Sequence, residues 1–346
     1  MTSNKIKGSL LEYIVRRLLV NCGFTTVAPD GLFVYKQRGL TLVNGRGAAH
    51  DADVLLNPPI QFPFIYPTRI NFECKAYNKT IGLTIVRNAL GLRIDLNDFE
   101  IVSRDFLTQR QNTRRNLIDS YDNRQRYFYQ VGVATVEEFS KDAIEFAANN
   151  KIPLICLRRF LPNDVCNLFH DITDKYLELF EENDLKDLFK WLKGERNEIS
   201  RLIATDSQTI FKKIIDAIQD LENKLFVGLL ESGDLFILSS HNSSNEIKSL
   251  LSQPDRLKAQ LYYEPDNVDN WILEFSGTNV TFNFKLPKRV LKTWSIMNYD
   301  QNGAMDLKER FFSKFYIFFN RNRTHSFKDI YIDVEWLRDL MRTPIE

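Results

Sequence analysis

The chain has 346 residues, of which 44% are hydrophobic and 26% are charged, and its formal net charge is +1. This composition excludes a disordered or fibrous chain and supplies enough apolar side chains for two hydrophobic cores. No apolar run reaches the length of a membrane span, and the polar start does not resemble a signal peptide, so we expect no association with membranes.

Cysteine, histidine and glycine patterns exclude several classes of site. The four cysteines form no CxxC pair and lie in apolar surroundings, which is typical of reduced thiols in a cytoplasmic protein. The four isolated histidines give no zinc-binding pattern. No glycine-rich phosphate or dinucleotide motif is present, so ATP and NAD have no visible site.

The first 160 residues predict alternating helices and strands. An amphipathic helix is expected over Gly8–Phe24, with Ser9 as its N-cap, Glu12 in its first turn and Gly23 at its C-terminal end. Two short strands follow. The later predicted elements are a helix, a strand, a helix and a strand, at Thr84–Leu96, Tyr127–Ala134, Lys141–Asn149 and Pro153–Leu157. This order predicts an α/β sandwich around a small mixed sheet.

Two carboxylates and a lysine lie in the two short strands. Asp53 precedes an apolar run, Glu73 comes 20 residues later, and Lys75 is two residues further on. Because side chains alternate along a strand, Glu73 and Lys75 share one face and Cys74 points into the opposite layer. Pairing of the two strands would bring these charges together. Such an oxygen-rich set suits Mg²⁺, and a lysine beside the ion can hold an attacking water or help to deprotonate it, and can stabilise charge on a phosphate.

The Glu-x-Lys pattern is weak by itself, because it occurs three times in this chain. Glu222 and Lys224 follow a run of helical period, and Glu246 and Lys248 lie in a Ser- and Asn-rich stretch that indicates a loop or helix start. Only the copy at Glu73 lies in a strand-like run with an aspartate-bearing strand upstream. The alternative interpretation of that set is a salt bridge on an edge strand.

These residues together resemble the PD-(D/E)xK nuclease superfamily, in particular restriction endonucleases of the Mrr-like kind. The resemblance covers residues 5–160. It rests on the first helix with Glu12, the segment around Asp53, the segment around Glu73 and Lys75, and the helix and strand over residues 139–155. Ala52 stands where the family usually has a proline before the aspartate.

The resemblance implies a restriction endonuclease-like domain over residues 1–160 and a Mg²⁺-dependent DNA endonuclease, with Mn²⁺ able to replace Mg²⁺. It implies that Asp53, Glu73 and the backbone carbonyl of Cys74 bind the ion. Glu12 would lie beside the ion, as a further ligand or through a water, and Lys75 would be the catalytic lysine. Cleavage would leave a 5′-phosphate, and cutting both strands would require a homodimer. A role in restriction or phage defence would follow.

Three further polar residues have alternative interpretations. Asp51 shares a strand face with Asp53 by period 2 and competes with it as the metal ligand. Asp53 is favoured because it directly precedes the apolar run and because its spacing fits the resembled family better, and Asp51 is then a strand-entry or turn residue. His50 either contacts a phosphate or is a solvated loop residue. Gln130 either points toward the metal or is an ordinary polar residue on a half-buried strand.

Charge is unevenly distributed along the chain. Residues 1–160 hold 22 Lys and Arg against 15 Asp and Glu, which gives +7, and the remainder holds 24 against 30, which gives −6, so the two sum to +1. A cationic excess suits a module that approaches a polyanion. The Arg-rich stretch Thr108–Arg126 predicts an insertion that orders against nucleic acid, or else a solvated loop. The candidate nucleic-acid-binding residues are Arg87, Arg110, Arg114 and Arg115.

The second half predicts a helical segment over residues 161–224 and a mainly antiparallel β domain over residues 225–346, an α+β arrangement. The predicted strands are Leu225–Leu230, Leu235–Ser239, Trp271–Phe275, Val280–Phe284 and Phe315–Phe319, and the end, Asp333–Arg342, is expected to be helical. Arg310–Arg323 mixes aromatic and cationic residues, a composition used either to stack bases or to fill a core. Binding of a protein partner and self-association are further possible roles of this half.

Two functional hypotheses follow from the sequence. The first is a metal-dependent DNA endonuclease, and a single-strand or RNA nuclease would share its chemistry. The second is a nucleic-acid-binding or scaffold protein that keeps the nuclease fold without turnover.

Overall fold

The computed structural model describes residues 1–31, 33–37, 39–61, 65–99, 126–204, 208–221, 224–231, 234–321 and 324–332. In these ranges the chain is a mixed α/β protein with a five-stranded sheet, a three-stranded sheet and a closed barrel of seven strands. The α/β class expected from the sequence is confirmed, whereas the closed barrel is a feature that the sequence analysis did not predict.

A five-stranded sheet organises the first 160 residues. Its strands are β1 (Thr25–Thr26), β5 (Val54–Asn57), β6 (Thr68–Lys75), β7 (Phe128–Thr135) and β8 (Leu154–Cys156), in the order β1-β5-β6-β7-β8. The central strand β6 pairs antiparallel with β5 and parallel with β7. Strand β8 extends the sheet in parallel, and β1 closes the other edge in antiparallel. Parallel neighbours need long crossovers, and helices occur in both of them here.

Side-chain alternation along the sheet creates two hydrophobic cores. Phe72 and Cys74 of β6 face helix α1 (Ser3–Asn21). The opposite face packs against helices α2 (Leu83–Asn97) and α3 (Lys141–Asn149). The helix predicted at Lys141–Asn149 has those bounds, and the helix predicted at Thr84–Leu96 is one residue longer at each end. The sheet is therefore covered on both faces, which explains the apolar strands.

Helix α1 begins earlier than its predicted start at Gly8. Ile6 and Leu10 are both fully buried, so the apolar stripe already includes the turn before Ser9. Ser9 is not an N-cap but a buried helical residue whose hydroxyl donates to the carbonyl of Lys5 at 3.1 Å, a bond that serine makes inside helices. Glu12 consequently lies in the middle of the helix and not in its first turn. Gly23 ends the helix as expected, with φ of 94°.

A three-stranded antiparallel sheet, absent from the sequence prediction, precedes β5. Its strands are β2 (Val34–Gln37), β3 (Leu40–Asn44) and β4 (Ala49–Asp51), in that spatial order. Asp51 lies in β4, whereas Asp53 lies just before β5, so the expectation that both occupy one strand face is wrong. Two short strands with different partners replace the single strand predicted there.

Five helices follow the sheet and pack on its α1 side. They are α4 (Asn163–Asp171), α5 (Asp174–Leu177), α6 (Glu182–Leu192), α7 (Arg201–Ala204) and α8 (Ile210–Leu221). Their buried leucines and isoleucines join the same core as α1. Helix α6 lies against α1, where the rings of Tyr13 and Trp191 are 4.8 Å apart. The helical segment thus shares a core with the sheet instead of forming a separate one.

The closed barrel occupies the rest of the described chain. Its strands are β9 (Leu225–Leu230), β10 (Leu235–Ser239), β11 (Arg256–Glu264), β12 (Asn267–Phe275), β13 (Thr281–Lys285), β14 (Lys314–Arg321) and β15 (Thr324–Ile332), in the order β10-β13-β12-β11-β15-β14-β9. Pairing of β9 with β10 closes it. Helices α9 (Ser244–Ser252), α10 (Lys288–Ser295) and α11 (Gln301–Phe312) accompany it. The two predicted hairpins are present, but β11 and β15 were not predicted.

The aromatic stretch near the C-terminal end belongs to the barrel core. Phe312 and Phe315 are fully buried, and Phe319 is 1% exposed. Their rings are therefore unavailable for stacking on bases, and the core interpretation of this stretch is correct. The helix expected over residues 333–342 lies outside the described residues.

The barrel meets the five-stranded sheet through charged contacts. The Arg159 guanidinium binds both carboxylate oxygens of Asp269 at 2.6 and 2.7 Å, and Lys292 pairs with Glu145 at 2.7 Å. All four cysteines are buried and unpaired, as expected. No helix within the described ranges has both the length and the hydropathy needed to cross a lipid bilayer.

Candidate active site

Asp53 and Glu73 meet where strand β5 begins. The antiparallel register pairs Val54 with Phe72, so one step further Asp53 lies opposite Glu73. The Asp53 carboxylate accepts a hydrogen bond from the backbone N–H of Cys74 at 2.8 Å. This bond continues the hydrogen bonding between β5 and β6 beyond the Val54–Phe72 pair, and it fixes the Asp53 carboxylate where β5 begins. Because the N–H and C=O of one strand residue point to the same edge, the Cys74 carbonyl is directed toward Asp53 as well.

Glu73 and Lys75 lie on the same face of β6, as their spacing predicts. The Lys75 ammonium is 3.4 Å from a Glu73 carboxylate oxygen, and the side chains are 27% and 19% exposed. Burial lowers the pKa of Lys75, but the charges of Glu73 and Asp53 outweigh that effect, so its pKa is raised overall. Lys75 is therefore a protonated cation in this state, suited to offsetting negative charge and not to acting as a base.

Glu12 reaches the same edge from α1. Its carboxylate is buried and pairs with the ammonium of Lys193, which directly follows α6. Burial and, after it, the charge of Asp53 raise the pKa of Glu12 to about 7 against the opposing charge of Lys193. The structure thus places Glu12 near enough to Asp53 for their charges to interact, although Glu12 lies in the middle of α1 and not in its first turn.

Asp51 approaches the same edge from β4. Partial removal from water is the main cause of its raised pKa, followed by the charge of Asp53. Both aspartates line one cleft. Asp53, however, is tied to the backbone of β6 and lies opposite Glu73, so it remains the stronger candidate for a metal ligand.

The acidic edge, formed by Glu12, Asp51 and Asp53, lines a cleft of about 390 Å³ between α1 and α6, whereas Glu73 and Lys75 do not line this cleft. Residues from α1, the β2–β3 turn, the strand entrance and α6 line it. Its charged lining side chains are Lys5, Glu12, Asp51, Asp53, Lys186, Lys190, Lys193 and Glu195. This volume lies within the size range of small-ligand sites, and its walls carry both signs of charge.

The oxygen donors at this edge fit a divalent cation in their chemistry. Carboxylate and carbonyl oxygens are the ligands that Mg²⁺ prefers, and a cation would relieve the repulsion that Asp53 exerts on Glu12. In the part of the chain that the structure describes, no three Asp, Glu, His or Cys side chains converge into a ready-made metal site. Glu12 and Glu73 are each paired with a lysine instead.

Other residues predicted for the site have different partners. Gln130 donates to the carbonyl of Lys151, so its ordinary structural interpretation is correct. His50 bonds to Asp95 of α2 with 2.6 Å between Nε2 and Oδ2. Arg87 is exposed, and its guanidinium lies 5.8 Å from the centre of the Phe146 ring. The remaining candidate nucleic-acid-binding residues, Arg110, Arg114 and Arg115, lie outside the described residues.

Sequence reasoning missed the lysines that α6 contributes. Lys186, Lys190 and Lys193 follow the spacing i, i+4 and i+7, which places them on one face of a helix. That signal is present in the sequence, but it does not reveal which surface the helix packs against. Docking of α6 on α1 brings this face to the acidic edge.

Comparisons with known proteins add little to this geometry. No protein-family model matches the sequence, and no curated protein matches it significantly. A crystal structure of a protein of unknown function, AF1548, aligns with 61% of this chain and 95% of its own length, at 16% identity and a TM-score of 0.33. A similarity this low supports neither a shared fold nor a shared function.

Proposed function

We propose that this chain is a metal-dependent endonuclease that hydrolyses phosphodiester bonds in DNA. The observation that carries the proposal is the juxtaposition of Asp53, Glu73 and Lys75 where β5 begins and its antiparallel partner β6 ends, with Asp53 bound to the Cys74 N–H at 2.8 Å. The bare pattern Glu-x-Lys occurs three times in the sequence. The copy at Glu73 lies on a strand with an aspartate opposite it, whereas the copy at Glu246 and Lys248 lies in helix α9.

The arrangement around the sheet supports the same proposal. The helix α1, the strands β5 and β6, the helix α2, the strand β7, the helix α3 and the strand β8 follow in the order that a restriction endonuclease-like sandwich requires. Its acidic residues lie at one edge, where β5 begins, and Glu12 enters from α1. The finer fold assignment of residues 1–160 is part of this proposal.

Each residue of the site has a role that follows from its position. Asp53, Glu73, the Cys74 carbonyl and Glu12 would hold Mg²⁺ or Mn²⁺, and a bound ion would supply a low-pKa water and stabilise charge on the phosphate. Lys75 has its ammonium 3.4 Å from a Glu73 carboxylate oxygen and therefore stands beside this group of oxygen donors. Its ammonium can therefore orient the attacking water and balance charge on the non-bridging oxygens.

The biological assignment follows from the chemistry and from the family resemblance. A restriction or phage-defence enzyme must cut both strands of a duplex, and two copies of this single site would supply the two cuts. We therefore include a homodimer on DNA in the proposal. The barrel has no assigned role in it.

A cleavage assay tests the proposal. The substrates are supercoiled plasmid, linear duplex, single-stranded DNA and RNA, each with Mg²⁺, Mn²⁺ or EDTA. We expect metal-dependent cutting of DNA that disappears in Lys75→Ala. The matched control is Lys248→Ala, which removes the lysine of another Glu-x-Lys pattern on the exposed surface of α9.

The outcomes separate the alternatives. If the protein cut only RNA or only single-stranded DNA, the proposed chemistry would stand and the proposed substrate would change. Metal-independent binding without cleavage of any substrate would favour the non-cleaving scaffold. Lys75→Ala that cut as fast as Lys248→Ala would refute the proposed site.

A further inference from the structure

Helix α6 presents a face of lysines to the candidate site. Lys186, Lys190 and Lys193 all line the cleft that contains Asp51 and Asp53. The aspartates of the same helix, Asp184 and Asp187, do not line it, and Asp187 pairs with Arg196 at 2.7 Å. The cationic face of α6 is therefore directed at the acidic edge, even though residues 161–346 carry a net charge of −6.

The position of this face is fixed relative to the site. Leu185, Leu188 and Leu192 of α6 are buried in the core shared with α1. The Arg16 guanidinium of α1 donates to the carbonyl of Leu192, and the Lys5 ammonium lies 4.5 Å from the centre of the Phe189 ring. These contacts hold α6 on α1 and place its lysines on the same side of α1 as Glu12.

The three lysines differ in how strongly they are engaged. Lys193 pairs with the buried Glu12. Lys186 is 2.9 Å from Glu182, but both side chains are more than half exposed, so the pair is weak. Lys190 is exposed and has no ion-pair partner among the described residues. At least two ammonium groups along the wall are available to an anionic ligand.

The charge balance of the cleft indicates what kind of ligand fits it. Its lining side chains include four lysines (Lys5, Lys186, Lys190, Lys193) and four carboxylates (Glu12, Asp51, Asp53, Glu195), so their formal charges cancel. A divalent cation at the acidic edge would leave the cleft with an excess of two positive charges. A linear polyanion, with one phosphate at the edge and further phosphates along the wall, matches this distribution.

We infer that the lysine face of α6 binds backbone phosphates of the nucleic-acid strand beside the scissile bond. The helical segment is thereby part of the substrate site and not only a connector to the barrel. The inference rests on the proposed function, because the strand that contacts the lysines is the substrate whose scissile phosphate would lie at the acidic edge. Because the contacts are to phosphates, they fix position without reading sequence.

Binding measurements on Lys190 test the inference. Fluorescein-labelled duplex and single-stranded oligonucleotides are titrated with the full-length protein in Ca²⁺, which takes oxygen ligands as Mg²⁺ does. We expect Lys190→Ala to weaken binding several-fold and the double variant Lys186→Ala/Lys190→Ala to weaken it further. Each lost phosphate contact should reduce the slope of log affinity against log salt by about 0.7 to 0.9.

Two control variants separate a phosphate contact from other effects. Lys190→Arg keeps the charge and should keep both affinity and slope. Lys248→Ala removes an exposed lysine of α9 that does not line the cleft, so it should bind as the wild type does. Urea unfolding shows whether each variant remains folded, which we expect because Lys190 is exposed.

The results distinguish this inference from the proposed function. A wild-type protein that cuts DNA while the double variant binds with unchanged affinity and slope would overturn the inference alone. Weaker binding with an unchanged salt slope would also overturn it, because no phosphate contact would have been lost. A wild-type protein that binds no nucleic acid under any condition would overturn both.

Discussion

The carboxylate of Glu12 and the ammonium of Lys193, 181 residues apart in the chain, form an ion pair with 2.5 Å between Oε2 and Nζ. Glu12 belongs to the helix that covers the five-stranded sheet, and Lys193 follows a helix of the second half. The candidate site is therefore assembled from both halves of the chain. A protein truncated after residue 160 would lose this pair and the wall of the cleft.

The raised pKa of Glu12 makes stability depend on pH. Between the ordinary value of 4.5 and about 7, the folded protein binds a proton that the unfolded chain has released. The free energy of unfolding therefore falls by about 3 kcal/mol in total as pH rises through this window. Above the window, this group contributes no further change. In EDTA, Glu12→Gln should be more stable than the wild type by up to about 3 kcal/mol at pH 8.

The same difference should disappear near pH 4.5, because both proteins are then uncharged at this position. Urea unfolding at the two pH values measures it. If the substitution changed the free energy of unfolding equally at both pH values, the charge of Glu12 would not be the cause of the stability difference.

A divalent cation should stabilise the folded protein through Asp53. A ligand that binds only the folded state adds about 2.7 kcal/mol at a concentration of 100 times its Kd. We expect Mg²⁺ or Mn²⁺ to raise the Tm of the wild type and to leave Asp53→Asn almost unchanged, as measured by calorimetry. Asp266→Asn, at an exposed position between β11 and β12, is the matched control and should respond like the wild type. Equal stabilisation of Asp53→Asn would place the ion elsewhere.

Asp95 clamps the β3–β4 turn to α2. Its carboxylate accepts from the Gly47 N–H at 2.7 Å and bonds to His50 at 2.6 Å, and it lies so close to Gly45 that a Cβ there would be 2.0 Å from Oδ2. The bond to His50 is the main cause of its lowered pKa. Asp95→Asn should cost about 1 to 2 kcal/mol at neutral pH.

The cost of Asp95→Asn should be present above pH 3.8 and decline as pH falls from that value toward the lowered pKa of the folded carboxylate, because the unfolded chain gains its proton first. Thermal unfolding at pH 7 and pH 3 measures this. Asp98→Asn, at the end of the same helix and half exposed, should change stability by less than about 0.5 kcal/mol. A similar cost for both variants would argue against the clamp.

Sequence patterns predicted those parts of the fold where one periodicity dominates. The helix at Lys141–Asn149 and the strands around Glu73 follow from regular apolar spacing, and Glu73 and Lys75 share a face as period 2 requires. The predicted start of α1 was too late because Ser9 suggested an N-cap. The helix in fact begins before Ser9, where the buried side chain of Ile6 extends its apolar stripe.

Strand β15 of the barrel was missed in the sequence for a physical reason. In β15 a charged residue, Lys328, points into the protein, where its ammonium bonds to the carbonyls of Gln253 and Pro254. A buried lysine breaks the alternation by which a strand is recognised. The Glu12–Lys193 pair depends on how α6 packs against α1, and neither residue alone indicates its distant partner.

Cleavage by Glu73→Ala tests the central claim most directly. The variant is compared with the wild type and with Glu274→Ala, which removes an exposed glutamate from β12. Plasmid cutting is followed over time in Mg²⁺, with circular dichroism to show that each protein is folded. We expect Glu73→Ala to lose at least about 10²-fold in rate and Glu274→Ala to cut normally. Cutting by folded Glu73→Ala at the wild-type rate would contradict the proposed active site.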